Sequence, residues 1–284
     1  MVYTLGVRGV LALVCLLVAA TAHAQPKPVG AYGPHGSLPS WISFGTLAAH
    51  APDSQLAEAA ARSRATGFLW IVQAGFDVPP HVYAEAPARA MRARLESAGL
   101  WPYVVAVTWG EEWYERCAGG EFAAVYGVSG PACVSGVYDW MSAQHEALAR
   151  VTGKPVMWVT HVADRLWRRV PSHTSYVAID AYPTDGQAWG DLLPTLLHSE
   201  GGTDLPLVII PRWYQTTGPV QGDRWRETSA SPERWADGYA ALLARPRWVA
   251  MLGFLWASRP WADLVGLEDM PDAQRAVARS LGVR

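Results

Sequence analysis

Acids and aromatic residues gather at the ends of short apolar runs in this chain, and together they suit acid–base chemistry on a sugar. Thr108-Trp-Gly-Glu-Glu-Trp-Tyr-Glu115 closes one run and Thr160-His-Val-Ala-Asp164 the next. Ile179-Asp-Ala-Tyr-Pro183, Pro211-Arg-Trp-Tyr-Gln215 and Phe254-Leu-Trp-Ala-Ser258 close three more. Breaking a glycosidic bond takes a proton donor to the bridging oxygen, a second carboxylate or its equivalent, and flat apolar faces that match the C–H faces of a pyranose ring. Glu111, Glu112 and Asp180 supply carboxylates, and Trp109, Trp113, Trp213 and Trp256, among 15 tryptophans, fall at or beside the run ends. The plainer reading is that any one tryptophan fills a core or a helix–barrel interface.

Other chemistries find less in the sequence. His35, His50, His81, His145, His161, His173 and His198 form no H-x-H or H-E-x-x-H set, so no metal site is expected. The G-x-S-x-G elbow of serine hydrolases is absent, and Gly127-Val-Ser-Gly130 departs from it. No Gly-rich phosphate loop follows the first apolar run, so no nucleotide cofactor is expected either.

The elements that must position these residues alternate regularly. Candidate strands cover 41–47, 68–74, 103–108, 156–160, 176–181, 207–210 and 249–256. Between and after them, helical patterns lie near 53–65, 84–98, 136–151, 188–198, 233–244 and 271–281. Asp53 and Ser231 read as N-caps, with Pro232 at a first helical position. Alternating strands and helices predict βαβ units with parallel strands, and hence an α/β fold of the (β/α)8 TIM-barrel type. Seven strands are visible where a closed barrel needs eight, so one is degenerate or hidden, either before Trp41 or within 76–83. An open doubly wound sheet is the alternative. In a barrel, functional side chains project from the C-terminal strand ends, where the acids and aromatics lie.

Residues 1–24 read as a secretory signal: Arg8, an apolar run from Val10 to Ala20, then Ala22-His23-Ala24 before Gln25. That run is shorter than the roughly 20 residues a spanning helix needs. Cleavage after Ala24 leaves 25–284 as a single barrel domain, secreted or periplasmic, with no integral membrane segment. Loss of Arg8 from 23 basic residues leaves 22 against 25 acids, a net charge of −3. That balance argues against nucleic acid or another polyanion as partner. With Cys15 removed, Cys117 and Cys133 remain, and in an oxidising compartment they are expected to form a disulfide worth roughly 3 kcal/mol. The loop it closes begins just after the acidic pair and is expected to cover the pocket.

Three segments resemble the clan A type of (β/α)-barrel glycoside hydrolases. Gly110-Glu-Glu-Trp113 is similar to the acid-bearing end of that clan's fourth strand, Val177-Ala-Ile-Asp-Ala-Tyr-Pro183 to its sixth, and Gly253-Phe-Leu-Trp256 to its eighth. The resemblance implies a glycosidase acting on a polysaccharide or oligosaccharide, with Glu112 as general acid and Glu111 as its nearest rival. It departs from the clan at the seventh strand, where retaining members carry a nucleophilic Glu and this chain reads Leu207-Val-Ile-Ile-Pro-Arg-Trp-Tyr-Gln215. Asp180 then becomes the second carboxylate, as nucleophile, as base to a water or as acceptor for substrate hydroxyls; alternatively it caps its loop or pairs with Arg212. Trp109, His161, Asp164, Tyr182, Arg212, Trp213, Tyr214, Trp256 and Asp77 are the candidate substrate-binding residues, with Arg212 suited to an anionic group. The missing acid equally suits a non-catalytic carbohydrate-binding protein on a hydrolase-like barrel. A lyase or esterase on the same barrel has no motif in its favour.

Overall fold

The computed structural model describes residues 27–34, 36–75, 83–110, 117, 130–161, 169–183, 187–216, 231–254, 256–258 and 264–283. The expected signal at 1–24, Asp77, Glu111, Glu112, Trp113, Asp164 and all of the 117–133 loop between Cys117 and residue 130 lie outside the described residues.

Eight strands close a parallel barrel in chain order: β1 (Val29–Ala31), β2 (Phe44–Ala48), β3 (Leu69–Gln73), β4 (Val104–Thr108), β5 (Val156–His161), β6 (Tyr176–Ala181), β7 (Leu207–Pro211) and β9 (Trp248–Gly253). The hidden strand is β1, in the stretch before Trp41. Strand β2 starts later than expected because Ile42 N–H donates to Pro39 O at 3.0 Å, which makes 39–42 a turn. With β1 in place, the acid-bearing run that ends at Thr108 is the fourth barrel strand, the run ending at Ala181 the sixth and the run ending at Gly253 the eighth. That is the order the resemblance requires. Strands β4, β6 and β7 are buried at every position, as parallel strands with both faces covered must be. Two further short strands, β8 (Tyr214–Thr216) and β10 (Leu264–Gly266), pair antiparallel outside the barrel; three residues each, they are too short to leave a pattern in the sequence.

The described residues fall into two compact units. The first, 47–178, holds α1 (Asp53–Thr66), α2 (Glu85–Ser97) and α3 (Gly130–Thr152). Helix α1 buries Leu56, Ala59, Ala60 and Ser63, one stripe at i, i+3, i+4 and i+7. Ser63 Oγ donates to Phe68 O at 2.9 Å and accepts from Trp70 Nε1 at 2.8 Å, so the helix is joined to the start of β3. Asp53 is not the N-cap. Pro52 occupies that position in an extended conformation, and the Asp53 carboxylate takes Arg94 Nη2 of α2 at 2.5 Å instead. Buried Gln144 of α3 accepts the Ala84 N–H at 2.6 Å and anchors the start of α2. The expected disulfide is present: Cys117 joins Cys133 of α3, with Cα atoms 6.0 Å apart and both residues buried.

The second unit, 24–46 with 179–284, holds α4 (Trp189–Gly201), α5 (Ala236–Leu243) and α6 (Pro271–Ser280). The helix expected at 233–244 opens instead as a 3-10 turn, Pro232–Trp235, with Ser231 at its N-cap and Pro232 first in the turn. Strand β1 bonds to β2 on one side, Gly30 opposite Phe44, and to β9 on the other, Gly30 opposite Leu252. Strand β9 also pairs with β7, Ile209 opposite Met251. No helix among the described residues is long and apolar enough to cross a membrane.

His145, fully buried on α3, has Nδ1 2.9 Å from Thr174 Oγ1, and burial followed by the nearby His173 pushes its pKa down to about 3. The folded protein therefore holds this ring neutral while the unfolded chain takes up a proton near pH 6.5. Stability is complete above that value and falls as pH drops toward 3, by up to about 1.4 kcal/mol per pH unit. Urea melts at pH 7, 6, 5 and 4 should show this loss, and His145→Gln should flatten it.

Candidate functional site

In the second unit, β1, β6, β7 and β9 each release a cluster of ring or charged side chains as they end, which is where a parallel barrel carries its chemistry. Asp180 is the penultimate residue of β6 and only 2% exposed. Its Oδ1 accepts the Tyr182 hydroxyl at 2.8 Å. The two residues stand on one side of the strand because alternate positions share a face, so the bond follows from sequence spacing once the segment is extended. Below the turn that follows, the Tyr239 hydroxyl of α5 donates to Ala181 O at 2.5 Å, and burial drives its pKa upward.

Arg212 follows β7 and is 1% exposed. Its Nη1 donates to Pro183 O at 2.8 Å, and its guanidinium carbon lies 4.3 Å from the Trp235 ring centre and 5.7 Å from that of Tyr214. A buried cation needs such partners, because an uncompensated charge out of water costs several kcal/mol. A cation over a desolvated ring recovers about 2 kcal/mol. Pairing of β7 with β9 also runs past the strands: Arg212 bridges Phe254, Phe254 N–H donates to Pro211 O at 2.9 Å, and Trp213 N–H donates to Phe254 O.

The rings form two groups. Tyr32, Tyr182 and Tyr214 surround Phe254 with ring centres 5.0, 5.5 and 5.9 Å from it. Trp41, Trp213 and Trp256 meet edge to face at 5.8 to 6.5 Å, a geometry worth about 0.5–1.5 kcal/mol per pair. Trp213, Trp256 and Tyr214 are at most 2% exposed, Trp213 and Trp256 packing on each other and Tyr214 on Phe254, Tyr182 and Leu264, whereas Trp41, Tyr182 and Phe254 are half-buried. Trp256 Nε1 is buried without a hydrogen-bond partner among the described residues.

Of the residues singled out in the sequence, Asp180, Tyr182, Arg212, Trp213, Tyr214 and Trp256 come together in this unit. In the first unit, Trp109 is buried just past β4, and His161 is half-buried at the last position of β5. Gly110, next after Trp109, takes φ +65°, a left-handed turn immediately before the Glu111-Glu112 pair. Among the described residues no group of three or more His, Cys, Asp or Glu side chains is gathered for a metal. Sequence reasoning missed Tyr32, Trp235 and Tyr239 and gave Phe254 no role. Tyr32 was concealed by the unassigned β1, while Trp235 and Tyr239 sit on helical turns that only packing brings to the strand ends.

The closed eight-stranded parallel barrel with its surrounding helices defines the class, a (β/α)8 TIM barrel. No protein-family model matches the chain, and no curated protein matches it in sequence. Solved structures share its fold. A GH113 β-1,4-mannanase superposes with a TM-score of 0.56 over 92% of this chain and 100% of its own, at 10% identity. An active-site mutant of the Rhizomucor miehei β-1,3-glucanosyltransferase, in complex with laminaritriose, gives 0.53 over 87% and 92%, at 13% identity. For Bacteroides uniformis β-glucuronidase 2 the score is 0.50 at 12% identity; 76% of this chain covers 26% of that one, so the chain spans about a quarter of its length. At these identities the likeness is one of fold.

Gly253 is the contact on which the tryptophan group rests. A Cβ there would lie 1.9 Å from Trp213 Cδ2 and Cε3, so the buried indole would have to shift. Gly253→Ala should cost at least the 1–3 kcal/mol typical of overpacking. The expected readouts are a lower urea midpoint and a shifted tryptophan emission.

Proposed function

We propose that the chain is an exported glycoside hydrolase-like protein that acts on a polysaccharide or oligosaccharide, with Glu112 as general acid and Asp180 as the second carboxylate. The observation that carries the reading is Asp180 itself: a buried carboxyl, held by a tyrosine hydroxyl, at the end of the sixth strand of a barrel whose fold neighbours include a mannanase, a β-glucuronidase and a glucanosyltransferase. Burying a carboxylate without a chemical task would be a poor use of stability. The half-buried rings of Trp41, Tyr182 and Phe254 are of the kind that suits the apolar side of a sugar ring. The near-neutral charge favours such a ligand over nucleic acid.

Export rests on the signal-like residues 1–24, cleaved after Ala24, into the periplasm or beyond the cell. A buried disulfide between Cys117 and Cys133 agrees with an oxidising destination.

One observation favours a second reading, a carbohydrate-binding protein without turnover. The residue that follows the seventh barrel strand is a buried arginine, where clan A retaining enzymes carry their nucleophile. An inverting pathway, in which a base activates water, needs no acid there and keeps the first reading open to test.

Purified protein incubated with a panel of β-glucans, mannans and uronate-bearing glycans, with products followed by mass spectrometry, separates the two. Hydrolysis should release shorter oligosaccharides, and Glu112→Gln should lower turnover by about 10²–10⁴-fold while folding and glycan binding persist. Full turnover in that variant would sink the assignment of Glu112, and binding without cleavage of any glycan would select the second reading.

A further inference from the structure

We infer that Arg212 is a positioning residue that sets the Asp180 carboxylate by pinning the main chain beyond it. The inference rests on the reading that Asp180 is the working carboxylate. Four consecutive residues, Asp180 to Pro183, are held at three points. Tyr182 Oη donates to Asp180 Oδ1 at 2.8 Å, Tyr239 Oη to Ala181 O at 2.5 Å and Arg212 Nη1 to Pro183 O at 2.8 Å. Two of the three donors come from other elements, the turn after β7 and helix α5, and both are at least 97% buried.

Arginine suits this task for a geometric reason. Its planar guanidinium lies against the faces of Trp235 and Tyr214, which fixes the plane, and a fixed plane aims Nη1 at one carbonyl. Lysine keeps the charge but presents a rotatable point donor and cannot stack in the same way. Tyr182 ties the effect to the acid. It stands between Ala181 and Pro183, the two pinned carbonyls, so slack at Pro183 swings the ring whose hydroxyl holds Asp180 Oδ1. The tyrosine's own packing, 5.5 Å from Phe254 and 6.3 Å from Tyr214, keeps that swing small only while the main chain is fixed. A catalytic group displaced by 1 Å loses about 10²-fold in rate, so a clamp of this kind has a functional consequence well beyond its contribution to stability.

The test uses the full chain with ¹³C at aspartate Cγ, the Asp180 peak being the one lost in Asp180→Asn. Arg212→Lys should move or broaden that peak and leave the other aspartates in place. An unmoved Asp180 peak in folded Arg212→Lys overturns the inference and leaves Arg212 as a packing residue. Should this variant fail to fold, Tyr239→Phe releases the pin on Ala181 and the same peak decides. With a glycan that is cleaved, Arg212→Lys should lower kcat by roughly 10–100-fold with KM within about twofold, and the loss should vanish in the Asp180→Asn background. Additive losses count against positioning. Absence of turnover in the unaltered chain fails the hydrolase reading alone, since the carboxyl resonance still reports whether Arg212 sets Asp180.

Discussion

Closure of the sheet through β1 is the constraint on which the remaining architecture depends. Three residues, Val29–Ala31, bond to β2 on one edge and to β9 on the other, and without them both neighbours would present unpaired N–H and C=O groups. Gly30 belongs to this seam, because a Cβ there would meet the Phe44 ring at 2.4 Å. The seam also sets the register of the eighth strand. Tyr32 N–H donates to Gly253 O at 2.9 Å just past the pairing, which places the residues after β1 beside those after β9. The aromatic groups around Phe254 and Trp256 follow from that adjacency.

Those groups determine the electrostatics of the strand ends. Asp180 and Arg212 are each almost completely buried there, Asp180 bonded to the Tyr182 hydroxyl and Arg212 set over the Trp235 and Tyr214 rings. In such surroundings buried polar groups need fixed partners, and these include a phenol for the Asp180 carboxyl and a carbonyl and an indole face for the guanidinium. The same bonds that make burial tolerable hold the groups still. Stability and preorganisation therefore share one set of contacts here.

Much of the barrel was legible because a parallel strand buried on both faces reads as a continuous apolar run, and β3 to β7 and β9 all do so. Strand β1 was not, since three residues with a central glycine form no run. The capping role expected of Asp53 failed because Pro52 already held the extended cap conformation and a basic partner on α2 was within reach. Capping propensity is local, whereas the Arg94 pairing is tertiary.

The sequence by itself determined the class of fold, the pairing of Cys117 with Cys133 and the choice of strand ends as the place for Asp180, Tyr182, Arg212 and the tryptophans. Periodicity and residue type suffice for these, being properties of neighbours along the chain. Only the tertiary structure decided that Trp213 and Trp256 pack on each other while Trp41 stays half-buried beside them, that Tyr239 and Trp235 reach the strand ends from helical turns, and that Arg212 bonds a carbonyl three residues beyond Asp180. Burial and hydrogen-bond partners depend on which distant segments meet, and that is settled by closure of the barrel.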